Sequence, residues 1–153
     1  MTRLLFIALA LGACASDGPQ TGPGDMKLAE NTGGFCDAQS PWCGYDLMFN
    51  GTSLVVTSRS TPATGTGTLT QKGLADVEAL VAEVPYDAPD DNSECLDAPI
   101  VRLHIAFQEV GERTFQYVCK PGVLQPLGSY VTRLGNAVIN FESDDTVVVD
   151  APF

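Results

Sequence analysis

From Val101 to Gln108 large apolar side chains alternate with polar or small ones. Val101, Leu103, Ile105 and Phe107 fall on one parity, and Arg102, His104, Ala106 and Gln108 on the other. Successive side chains of a strand point to opposite faces, whereas a helix would scatter this set around its axis. The stretch therefore reads as a strand with one buried face. Gly111 turns the chain, and Phe115-Gln116-Tyr117-Val118 returns as the second arm of a hairpin. The apolar four should face a helical layer, with Arg102, His104 and Gln108 on the solvent side.

Other segments supply the rest of the layers. Tyr45–Phe49 and Thr52–Ser58 flank Asn50-Gly51, the dipeptide whose left-handed preference suits a tight hairpin turn. The Thr/Gly/Pro stretch from Ser60 to Thr68 reads as a connection. Leu74, Val77, Leu80, Val81 and Val84 then recur at helical spacing, with Thr70 placed to cap the helix and Pro85 to end it. Leu124, Leu127, Val131 and Leu134 mark a second helix, entered past Pro121-Gly122 and left at Gly135. Ala137–Phe141 and Thr146–Val149, about an Asp144-Asp145 turn, read as a last strand pair. The order ββ-α-ββ-α-ββ predicts an α+β fold: an antiparallel sheet of two to three hairpins with two helices packed on one face.

The N-terminus carries a different kind of information. Arg3 precedes an apolar run, Leu4 to Ala13, that is too short for a membrane-spanning helix and suits a secretory signal. It ends in Leu11-Gly12-Ala13-Cys14, which resembles the lipobox of bacterial lipoproteins. That resemblance implies cleavage before Cys14 by signal peptidase II, acylation of Cys14 and attachment to the lipid bilayer. Ala15 and Ser16 follow the cysteine with no Asp directly after it, which in the enteric sorting rule favours the outer membrane over the inner. Residues 1–13 then form the signal peptide and 14–34 the lipidated cysteine and a flexible linker, with five Gly and two Pro among residues 15–34. A Gly-rich coil of that length reaches ~25 Å. Residues 35–153 form the single domain.

Four cysteines remain beyond Cys14: Cys36, Cys43, Cys95 and Cys119. In an exported chain an even set reads as a disulfide framework, and four cysteines allow three connectivities. Cys36–Cys43 closes a short loop that contains Pro41, and Cys95–Cys119 is the complementary pair; the two crossed pairings remain open. Each bridge would add ~2–4 kcal/mol. Cysteines so paired cannot hold zinc, and His104 is the single histidine of the chain, so no metal or other cofactor is expected.

Charge narrows the function further. Eight Lys+Arg stand against nineteen Asp+Glu, a formal net charge of −11. Nucleic-acid affinity rests on clustered Lys and Arg that release counterions, so a nucleic-acid partner is excluded. The densest acidic stretch, Asp87 to Asp97, holds oxygen ligands of the type calcium takes, yet lacks the EF-hand spacing and reads as a solvated loop. His104 reads as an exposed strand histidine, and no G-x-S-x-G elbow occurs. No catalytic residue is assigned; the chain reads as a non-enzyme.

One further likeness bears on function. Leu69-Thr70 through Leu80, Asp97-Ala98-Pro99 through Tyr117, and Leu124 to Leu134 follow the pattern of a helix, a hairpin and a final helix. This resembles the emfourin group, small bacterial inhibitors of thermolysin-like metalloproteases. The chain departs from that group in its lipid anchor, its four cysteines and its added C-terminal strands. In the group the N-terminal segment enters the protease cleft, whereas here that end is tethered, so no site residue is carried across. The expectation is a membrane-anchored envelope lipoprotein with a non-enzymatic binding or structural role, its partner an envelope protein or, in the alternative, a protease.

Overall fold

The period-two segment and its return strand form the hairpin that their alternation demands. In a computed structural model of the 153-residue chain, the described residues are 27–32, 44–95, 98–107 and 110–150, the first six for their backbone only. The fold is α+β. Its strands are β1 (Lys27–Thr32), β2 (Gly44–Asn50), β3 (Ser53–Ser58), β4 (Thr64–Leu69), β5 (Pro99–Phe107), β6 (Gly111–Tyr117) and β7 (Val147–Val149). Two helices, α1 (Gln71–Ala82) and α2 (Gln125–Asn140), follow β4 and β6. The set β2-β3-β4-β7 and the hairpin β5-β6 are joined by β1, giving the order β6-β5-β1-β2-β3-β4-β7 with every neighbouring pair antiparallel.

Period two decides which face is buried. Val101, Leu103, Ile105 and Phe107 are buried as expected, together with Leu47, Phe49, Leu54, Val56 and Phe115 from neighbouring strands. They meet Val77 and Val81 of α1 and Leu127, Val131, Leu134 and Val138 of α2. The opposite parity, with Met48, Thr57, Thr68 and Val148, is exposed. Arg102 and His104 are half-buried on that open face; Gln108 lies outside the described residues.

Local signals set the first helix. Thr70 is extended and its hydroxyl accepts from the Gly73 amide at 3.2 Å, while it donates to Asp145 O at 2.6 Å. A side chain at Gly73 would bring its Cβ to 2.0 Å from the Thr146 carbonyl oxygen, so this turn can approach the β7 end only as glycine. Pro85 follows the helix as anticipated.

Four expectations change. Lys27–Thr32, read as linker, forms β1 inside the sheet, between β2, the next strand in sequence, and the distant β5. Thr64–Leu69, read as part of a connection, is β4. Gly65 and Gly67 lie under Val138 of α2, where an added Cβ would come within 2.9 and 3.2 Å of its methyls. The helix can therefore pack closely while Thr64 and Thr68 face solvent. Ala137–Phe141, read as a strand, continues α2 to Asn140, because Leu127, Val131, Leu134 and Val138 sustain one helical face. The helix ends not at Gly135, which packs against the Tyr45 ring, but at Phe141 in the left-handed conformation (φ 58°). Thr146–Val149 consequently pairs with β4 rather than with a neighbouring strand.

Of the two expected bridges, one pair is at disulfide-bonding distance among the described residues. Cys95 and Cys119 stand with Cα atoms 6.4 Å apart. Cys36 and Cys43 lie outside the described residues.

Candidate functional site

The segment after α1 runs along the outer edge of β6 and closes it. Sheet edges otherwise offer unpaired amides and carbonyls to any passing strand. The Asp91 amide donates to Gln116 O at 2.8 Å, and the Gln116 amide donates to Asp90 Oδ1 at 2.9 Å. Upstream, the Arg113 guanidinium donates to Tyr86 O and, at 3.0 Å, to Ala88 O. Its carbon lies 4.7 Å from the Phe115 ring centroid and 5.7 Å from that of Tyr86. Tyr86 in turn meets Phe107 edge-on at 5.3 Å.

Asp91 is the centre of this segment, and it is not solvated. It is 8 % exposed. Its Oδ2 accepts from three successive amides beyond β6, Val118 at 2.9 Å, Cys119 at 2.7 Å and Lys120 at 2.8 Å. Its Oδ1 accepts from the Ser93 amide at 3.0 Å and from the Ser93 hydroxyl. Burial alone would raise the Asp91 pKa. The hydrogen bonds from Ser93 and from the amides outweigh it and hold the carboxyl well below the usual range. Ser93 Oγ is also 3.3 Å from Cys119 Sγ, so carboxylate, hydroxyl and cysteine pair form one continuous cluster. The loop expected to be solvated is thus bound to the β6–α2 connection at two points, Asp91 and Cys95.

Between those two segments lies a cavity of about 280 Å³. Pro89, Tyr117, Val123 and Leu124 give it apolar walls, with Asp90 and Lys120 beside them. Among the described residues Lys120 has no ion-pair partner. A second, more open and more polar hollow of about 530 Å³ lies along α2, with Ser129, Thr132, Arg133 and Asp144 in its lining. There Arg133 is already engaged: it pairs with Asp144 and stacks 4.7 Å from the Tyr130 ring centroid. Asp144 is held below the ordinary carboxylate range. Burial opposes this, but bonds from Thr146 and Val147 and the Arg133 charge prevail.

No protein-family model, curated protein or solved structure matches the chain.

His104 shows what the open face offers. One ring nitrogen is 2.8 Å from Thr114 Oγ1 and the other 2.9 Å from Glu112 Oε2. A hydroxyl, an imidazole and a carboxylate in sequence are the parts of a general-base relay. Here Glu112 is 69 % exposed, and none of the three lines either cavity. The contacts join β5 to β6 across the strand pair. Cys14, the expected lipidation site, lies outside the described residues, and among the described residues no helix is long and apolar enough to cross a membrane.

Proposed function

We propose that this protein is a lipid-anchored bacterial envelope lipoprotein whose α+β domain is a non-enzymatic binding module. The observation that carries this reading is the lipobox-like Leu11-Gly12-Ala13-Cys14 at the end of a short apolar run behind Arg3. One acyl chain binds a bilayer only marginally, and the two or three that such a cysteine carries bind stably. The Cys95–Cys119 pair supports an oxidising compartment outside the cytosol. Ala15, rather than an Asp, directly follows Cys14, which favours the outer membrane. The test is Cys14→Ser with metabolic fatty-acid labelling: label should be lost and the protein should leave the membrane fraction. Wild-type labelling in that variant would overturn the anchor.

A second reading is a protease inhibitor of the emfourin kind. It draws on element boundaries: Thr70 caps α1, β5 opens at Pro99, and α2 begins after Leu124, the points at which the resemblance places its helix, hairpin and final helix. Titration against a thermolysin-like protease separates the two.

A further inference from the structure

We propose that the cavity between Asp90 and Leu124 seats one apolar side chain of a polypeptide partner, flanked in that partner by cationic residues. The inference rests on the reading of the domain as a binding module and gives that module a recognition surface. At about 280 Å³ the cavity falls just below the ~300–1,000 Å³ range of small-molecule sites, which suits a single large side chain. Its walls, Pro89, Tyr117, Val123 and Leu124, are apolar, and Val123 is 38 % exposed at the mouth.

Both rims are fixed before anything binds. One belongs to the loop that Asp91 holds on the Val118–Lys120 amides, the other to the connection that Cys119 joins to Cys95. A preformed seat spares a partner the entropy of ordering it.

Charge selects the occupant. Asp90 is exposed in the cavity lining, Asp87 and Glu94 are exposed elsewhere on the same loop, and the whole chain carries −11. Asp90 and Asp91 outnumber Lys120 in the cavity lining, so the field there, in a chain of this net charge, favours positive groups beside the apolar anchor. The chain enters β1 at Lys27, opposite His104, whereas the cavity lies beyond Tyr117, which pairs with Val101 toward the Thr32 end. The cavity is therefore toward the end of β1 opposite to the one at which the chain enters the strand.

The probes are acetyl-Lys-Phe-Lys-amide and acetyl-Glu-Phe-Glu-amide, titrated into the 15N-labelled lipidated protein in detergent micelles. The cationic peptide should shift the amides of 90–91 and 117–124 saturably, and the acidic peptide should not. Lys120→Glu should tighten the cationic peptide roughly fivefold, the effect of about one exposed charge reversal. Val123→Arg should abolish its binding. Equal binding of both peptides, shifts scattered over the acidic surface, no shifts at all, or indifference to Lys120→Glu would each overturn the proposal. Should Val123→Arg not fold, Lys120→Glu still decides. Fatty-acid labelling of Cys14 reads the anchor independently of every one of these outcomes.

Discussion

Phe107→Ala should destabilise the domain by about 3–5 kcal/mol, while His104→Ala, three residues away on the same strand, should cost less than ~1 kcal/mol. Phe107 is 5 % exposed and packs edge-on against both Tyr86 and Phe115, at 5.3 and 6.1 Å. Truncation removes those ring contacts and leaves a cavity between the sheet and the residues packed on its buried face. His104 loses two hydrogen bonds on the open face, where water replaces its partners. Urea midpoints of the two variants measure the contrast. If His104→Ala were the more damaging, the assignment of the buried face would be wrong.

Asp91→Ala should cost about 3 kcal/mol, an unusual loss for a residue in an acidic loop. The substitution strands three successive amides that share Asp91 Oδ2 and removes the acceptor of Ser93. Because the folded carboxyl titrates below its ordinary value of 3.8, its contribution is complete above that pH. It is lost as pH falls through the folded value. Acid also relieves repulsion in a chain of charge −11, so the informative quantity is the difference between wild type and Asp91→Asn. That gap in unfolding free energy should hold from neutral pH down to about pH 4 and narrow below it. A gap constant down to pH 2 would mean the carboxylate is not ionised in this role.

How much of this was legible depended on whether the cause lay near in sequence. The β5–β6 hairpin follows from its own alternation, β2–β3 from Asn50-Gly51, and the start of α1 from Thr70, each a local signal. β1 was missed because Lys27–Thr32 has little strand propensity and owes its conformation to β2 and β5 on either side. β4 was missed because two glycines read as turn residues, when their smallness serves the approach of α2, whose covering residue Val138 lies some seventy positions on. The end of α2 was misjudged because Val138 and Ile139 are β-branched and Gly135 imitates a helix stop.

The candidate site shows the same division. Asp91-Asn92-Ser93 is a local pattern for a carboxylate turning back on its own chain. Nothing around it announces the amides of Val118, Cys119 and Lys120. Counting cysteines admits Cys95 with Cys119 as one of three connectivities. Which loop that pair would draw against which strand end was not legible, because the hairpin register centres two residues earlier than Gly111 suggests.

The interior place of β1, paired on both edges, has a mechanical consequence. A pull on the chain from its N-terminal side enters at Lys27 and runs along the strand axis. It is resisted by hydrogen bonds to β5 on one side and to β2 on the other, which lie across the direction of force. Such ladders must slide and rupture together, whereas a strand peeled from a sheet edge gives way one bond at a time. Tension on the N-terminal side therefore loads the domain in shear, through the strand that joins its two halves.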